Sequence, residues 1–348
     1  MNFLRRAVLG SMASLLATTL LTLGLVLSLT LVLSNPEKVK SALSKSGIYA
    51  SLPRDVVSQE NAKKETNSVP LDRPEIQALV EKAFPASVLE SDANQIIDGV
   101  YKWVKGETSE PEFRVDLGNS KTTLATSIGA YVQQRLASLP ACTGASTQAV
   151  DTFTTTCRPV GMDPVVAGQQ AKQDILTSKG TLENPVLTAE TFKNSQGQTL
   201  TEQLHKVPEL YHNLKLALYG LVGVIVIAAL GVIFLSATKR GGLSRAAVIC
   251  MVMGVVSGAF AWVSHWIVGR VLQNIVTSAP DNLPQAKITE VIRLLSTDVR
   301  LYWMVYAAAI ALLGLLVWLL LKFVFKQRPV VVTTAPELQL PPSDHKPL

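Results

Sequence analysis

Hydrophobic positions along this chain gather into four runs, 7–33, 216–237, 246–268 and 301–325, with mixed or polar sequence between them. A helix needs roughly 20 apolar residues to cross a hydrocarbon core, so each run predicts a transmembrane helix. None of the four contains a proline, and apart from Lys322 near the end of the fourth none contains Asp, Glu, Lys or Arg. The first run carries Gly10, Ser11, Ala13, Ser14 and Ala17, small residues that let helices approach closely in lipid. Its excess length predicts a tilted helix or one projecting past the bilayer. In the third run Gly254-Val-Val-Ser-Gly258 forms a GxxxG pattern, a close-packing surface that serves either the bundle itself or a dimer.

From Asn35 to Asn213 the pattern changes to short amphipathic helices. Ser34-Asn-Pro-Glu37 has the Ser/Glu spacing and early proline of a helix start, and that helix is expected to stop at Gly47. Residues 52–70 are polar and end on a proline, a loop. Asp72-Arg-Pro-Glu75 opens a helix with Ile76, Leu79, Val80 and Ala83 on one face, interrupted by Pro85. A longer helix follows over 87–105, with Val88, Ile96, Ile97, Val100, Tyr101 and Val104 inward. Phe113-Arg-Val-Asp-Leu117 alternates, and predicts a short strand. Helix returns over 119–139, with Leu124, Ile128, Val132 and Leu136 on one stripe, and again over 165–177. The stretch 143–156 is a Thr/Ser/Ala-rich loop, and 181–198 is turn-rich. Beyond the third run, 284–295 predicts an amphipathic helix through Ile288, Val291, Ile292 and Leu295, packed on the larger domain or lying in the membrane interface. The segment 327–348 holds five prolines and is expected to be a disordered tail.

Charge sets the orientation. A net charge of +6 and a pI near 9.2 invite a nucleic-acid reading. Yet residues 35–213 carry 18 Lys and Arg against 21 Asp and Glu, so the basic excess is elsewhere. It flanks the apolar runs, at Arg5 and Arg6, at Lys239, Arg240 and Arg245, and at Lys322, Lys326 and Arg328. By the positive-inside rule both termini are then cytoplasmic, and the chain divides into six parts. Residues 1–34 are the N-terminus and a first span, an uncleaved signal-anchor with a cleaved secretory signal as the alternative. Residues 35–213 form an exocytoplasmic domain, and 214–268 the second and third spans. Residues 269–300 are a second exocytoplasmic loop, 301–326 the fourth span and 327–348 the cytoplasmic tail. Lys38, Lys40 and Arg270 are the exceptions on the outer side. The fold class is mainly α: four transmembrane helices plus a mostly helical exocytoplasmic domain with a short strand or hairpin.

Of three cysteines, Cys142 and Cys157 lie in the outer domain and Cys250 in the third span. In an oxidising compartment the first two predict a disulfide, a staple worth about 3 kcal/mol for a loop of about 15 residues in the chain-entropy model. Glu202, His205, Glu209 and His212 would share one face of a continuous helix, a metal-binding arrangement centred on His205 and His212. Pro208 argues against that continuity, leaving a polar juxtamembrane face as the plainer reading. His265, between Trp262 and Trp266, is either an intramembrane functional group or a residue of the interfacial aromatic belt. No G-x-S-x-G, HExxH, P-loop or dinucleotide fingerprint is present, so no catalytic residue and no cofactor is expected.

The layout around Gly106-Glu-Thr-Ser-Glu-Pro-Glu-Phe-Arg-Val-Asp-Leu117, then Leu139-Pro-Ala-Cys142 and Cys157-Arg-Pro159, resembles an uncharacterised group of bacterial multi-spanning membrane proteins with a two-cysteine helical exocytoplasmic domain. The resemblance covers roughly 35–213 and imports no functional residues. It implies a bacterial source and a plasma-membrane location, and the absence of any N-x-S/T sequon agrees with both. The functional expectation is an integral membrane protein presenting an interaction or sensing domain. Its partners would be the lipid bilayer and an envelope or membrane protein, and not nucleic acid. The alternative is a transporter or channel subunit with a docking or gating outer domain. Spans without mid-membrane charge or proline weigh against transport chemistry, although a pore lined by backbone needs neither.

Overall fold

The computed structural model describes residues 2–53, 73–143, 153, 155–177, 184–191, 197–278 and 283–323. Nearly all of the loop expected over 52–70, most of 143–156 and the tail 327–348 fall outside them. In chain order the elements are α1 (Asn2–Leu33), α2 (Pro36–Ser46), α3 (Pro74–Ala83), α4 (Ala86–Val104), β1 (Val115–Asp116) and α5 (Gly118–Ser138). Then come α6 (Pro164–Thr177), β2 (Val186–Leu187), α7 (Leu200–Leu204), α8 (Val207–Leu235), α9 (Lys239–Ser278) and α10 (Leu283–Phe323). A further helical stretch occupies 48–53.

Helices α1, α8, α9 and α10 are long and apolar enough to cross a membrane, one for each hydrophobic run. They form a bundle in which α9 and α10 pair most extensively and α1 touches all three others. Leu16, Leu20 and Ala228 are buried at its centre, against Ile225, Ile249, Met253 and Ile310. Small residues set the closest crossings. A Cβ on Gly254 would lie 2.7 Å from Ala311 Cβ, and one on Gly258 3.7 Å from Ala307 Cβ. The GxxxG surface is thus occupied by an alanine pair of α10 within the same chain. The outward faces stay apolar: Val226, Ile227, Leu230 and Phe234 of α8 and Leu312, Leu313, Leu316 and Leu320 of α10 are all exposed. Leaving such a side chain in water forgoes about 1.5–3 kcal/mol, so these faces call for lipid.

Two helices outrun their apolar runs. α9 has 40 residues and α10 has 41, about 60 Å at 1.5 Å per residue against a hydrocarbon core of about 30 Å. The amphipathic helix expected at 284–295 is therefore not a separate element. It is the first part of α10, running unbroken into the fourth span. Pro284 sits at the helix start, where its missing N–H costs nothing, and no glycine or proline follows until Gly314. This extension packs against α2, which corrects the interface-lying alternative.

The polar domain has two parts. Ile76, Val80 and Ala83 of α3 meet Leu124, Ile128, Val132 and Leu136 of α5, with Ala167, Ala171 and Ile175 of α6 against them. α5 and α6 cross where Gly129 faces Gly168: a Cβ on either would lie within 2.7 Å of the other's carbonyl oxygen. The second part is α4, which lies against α2, β1 and α8. A Cβ on Gly99 of α4 would strike the Glu112 carbonyl, so the approach to β1 depends on that glycine. The expected strand at 113–117 shrinks to Val115–Asp116. Its antiparallel partner, with Val115 opposite Leu187 and Asp116 opposite Val186, comes from the stretch that sequence marks only as turn-rich.

Local signals place the short elements. Asn35, not Ser34, caps α2, its side chain accepting from the Glu37 N–H, and Gly47 ends the helix at φ 69°. The Ser34 N–H instead donates to Thr30 O and finishes α1. α4 ends before Gly106, at φ 78°, a left-handed conformation that glycine adopts without steric cost.

Candidate functional site

The residues with the densest polar interactions between distant parts of the chain form a collar where the domain meets the bundle. Lys38 of α2 reaches Asp298 of α10 at 3.0 Å and lies 5.6 Å from the centre of the Tyr302 ring. Lys40 pairs with Asp98 of α4 at 2.6 Å and with Glu37 at 2.9 Å. Tyr101 of α4 donates its hydroxyl to Leu33 O at 2.7 Å, satisfying one of the carbonyls that the end of α1 leaves free. Lys287 of α10 donates to Ser46 O at 3.3 Å, at the end of α2. Three elements of the domain side, α2, α4 and the extension of α10, are thereby tied to one another and to the end of the first span.

The electrostatics follow from these partners. Hydrogen bonds to Asp98 and Glu37 hold the Lys40 ammonium above the ordinary lysine pKa, and the hydrogen bond to Asp298 does the same for Lys38. Both pairs retain solvent contact: Lys38 and Asp298 are each 32 % exposed. Exposed pairs contribute only about 0.2–1 kcal/mol apiece, so the collar fixes position more than it adds stability. Next to it, burial and the nearby Glu90 raise the Tyr49 phenol, whose buried hydroxyl has no partner among the described residues. Burial likewise raises the Asp92 carboxyl, and its Oδ2 is also buried and unpaired.

Lys38 and Lys40 entered the sequence reading only as exceptions to the charge rule. Apart from Glu37, their acidic partners lie far along the chain. The available signal was their position, basic residues directly after a span on the acidic side.

Among the described residues the alternative metal face does not assemble. α7 ends at Leu204, His205 and Lys206 form a turn, and α8 begins at Val207 with Pro208 in its first turn. The Glu202 carboxylate accepts from the Thr199 N–H at 2.8 Å, completing a capping box, and His205 Nδ1 is 2.7 Å from Glu202 O. Among the described residues no three His, Cys, Asp or Glu side chains are grouped closely enough to hold a metal.

Cys142 and Cys157 are joined, Cα to Cα 5.0 Å. Ala141 and Arg158 bridge beside them, with Cys142 N donating to Arg158 O. Cys250 is free. His265 lies with Trp262, Trp266, Gly269, Arg270 and Gln273 along a shallow groove on α9. There the Arg270 guanidinium lies 4.0 Å from the Trp266 ring centre. Trp303 donates to Ser257 Oγ at 2.8 Å and Tyr306 to Leu20 O at 2.8 Å, so two aromatic residues of α10 tie it to α9 and α1 inside the bundle.

Arginines mark the end away from the domain. Arg5 donates through Nε to Leu235 O and through Nη2 to Ser236 O, both at 2.7 Å, and Arg240 donates to Leu321 O at 2.7 Å. The carbonyls that α8 leaves free at its end are thus capped by a cation from α1, and a carbonyl in the last described turn of α10 accepts from a cation of α9. These bonds bring the start of α1, the α8–α9 turn and the end of α10 to one end of the bundle, away from the domain.

Four apolar helices with lipid-facing surfaces define a multi-pass helical membrane protein carrying a polar domain at one end. No protein-family model, curated protein or solved structure matches the chain.

Proposed function

We propose that this protein is a plasma-membrane component that presents its helical domain outside the cytoplasm as an interaction or sensing module, with both termini cytoplasmic. The orientation rests on the arginine-marked end, since basic residues are retained on the cytoplasmic side. The resemblance to bacterial proteins of the same layout supports a bacterial envelope as the setting. The observation that carries the reading is the collar. α10 runs as one helix from its contacts with α2 through the bundle to the arginine end, so displacement of the domain is handed directly to a span. The bundle interior at Gly254, Ala307, Ala311 and Gly314 is closely packed, as an anchor or lever requires. On the domain surface Val160, Val165 and Val166 are exposed apolar side chains, a surface for a protein partner.

The test is crosslinking and affinity purification from native membranes with the full chain and with a form lacking 35–213. Recovery of one envelope protein only with the intact domain supports the module. Equal or empty recovery from both refutes it, and solute flux lost on deletion would favour a channel or transporter subunit instead.

A further inference from the structure

Opposite the domain, α1, α8 and α9 leave a crevice of about 300 Å³ lined by Leu9, Ala13, Val232, Ser244, Arg245, Val248 and Ile249. Val232 is fully buried and forms its floor, while Val248 is 42 % exposed at the mouth. Five of the seven lining residues are apolar, and Arg245 and Ser244 supply a cation and a hydroxyl. Arg6 lies one turn before Leu9 and so belongs to the same side of α1.

The charge at this end is unbalanced. Arg5, Arg6, Lys239, Arg240, Arg245 and Lys322 gather there, yet residues 1–36, 210–280 and 301–336 contain no Asp or Glu. Arg5 and Arg240 are engaged with backbone carbonyls of α8 and α10, and Lys322 lies 4.8 Å from the centre of the Trp318 ring. Arg245 stands at an apolar crevice with no acidic side chain of the spanning helices to meet it.

We propose that this crevice binds one anionic phospholipid, its headgroup phosphate on Arg245 and Ser244 and one acyl chain against Leu9, Ala13, Val232 and Val248. The occupant is a lipid because the walls are apolar and open to the bilayer. It is anionic because the described residues at this end supply only cations, and basic pockets between spans recognise such headgroups. Ala13 leaves room for the chain, and a leucine at that position would take up part of the crevice.

Purified full-length protein in neutral detergent is titrated with phosphatidylglycerol or phosphatidylcholine of identical chains, and bound lipid is counted by native mass spectrometry. Phosphatidylglycerol is expected to bind one per chain in preference to phosphatidylcholine. Arg245→Gln should weaken it about fivefold, as loss of one basic contact near a headgroup does, while Lys322→Gln should leave it unchanged. Ala13→Leu should also reduce binding; if that variant does not fold, the two charge variants decide. Equal binding of both lipids overturns the proposal, as does an equal loss in Lys322→Gln, which would mean a diffuse attraction. Thermal stabilisation by inorganic phosphate matching that by the lipid overturns it as well.

Discussion

Gly10 and Gly24 lie on the same helix, and substituting each with alanine should have opposite consequences. A Cβ at Gly24 would sit 2.6 Å from Tyr306 Cε1, 2.7 Å from Tyr306 Cδ1 and 2.9 Å from Trp303 Nε1. Both rings belong to α10, and both are held by hydrogen bonds, Trp303 to Ser257 and Tyr306 to Leu20 O. Trp303 is 4 % exposed, so it has little room to give. Overpacking of this kind costs about 1–3 kcal/mol, and the two displaced hydrogen bonds add about 0.6 kcal/mol each at the average measured for membrane helices. Alanine's better helix propensity returns up to about 1 kcal/mol. The net for Gly24→Ala is a loss of roughly 1–4 kcal/mol. At Gly10 no atom lies within 4 Å of the added Cβ, leaving only the propensity gain. Unfolding of the purified protein in mixed micelles of rising sodium dodecyl sulfate, followed by circular dichroism and tryptophan emission, separates the two. If Gly24→Ala and Gly10→Ala unfold together, the close approach of α1 to α10 is not as described.

Replacing Cys142 and Cys157 together with serine should cost the domain about 3 kcal/mol, seen as faster proteolysis of the domain, and the parent under reducing conditions should match the variant. Ile128 is 1 % exposed at the centre of the domain core, and Ile128→Ala should lose about 2–5 kcal/mol in thermal unfolding; a loss below 1 kcal/mol would contradict that packing. Burial holds the Asp92 carboxyl above its usual range, so its ionisation is a penalty that appears as pH rises from the unfolded value near 4 through the raised folded one. Asp92→Asn should therefore stabilise at pH 7, with the gain vanishing below about pH 4; a destabilised variant at pH 7 would show that the charge has a partner.

The helices were legible because their signals are local. Gly47 and Gly106 end α2 and α4, and Pro85 separates α3 from α4, each through bonds or torsions spanning a few residues. The candidate site was much less legible. Lys38 and Lys40 were visible as anomalies, but nothing near them in sequence names Asp298 or Asp98. The metal face over Glu202, His205, Glu209 and His212 rested on helical spacing alone, and among the described residues no three such side chains gather. β2 is two residues long within a turn-rich stretch, too short to show any alternation, and it exists because Val115 and Asp116 offer it an edge.

By itself the amino-acid sequence determined four membrane-crossing helices, their basic and domain-bearing ends and most helix limits in the domain. Hydrocarbon thickness, capping and backbone torsions act on a run of residues wherever that run lies. Tertiary structure alone decided that α10 continues into the domain and that Gly254 and Gly258 meet Ala307 and Ala311. It also decided that the lysines after the first span tie α2 to α4 and α10. Those outcomes depend on which surface arrives opposite, and close packing rewards a contact only once both sides are in place.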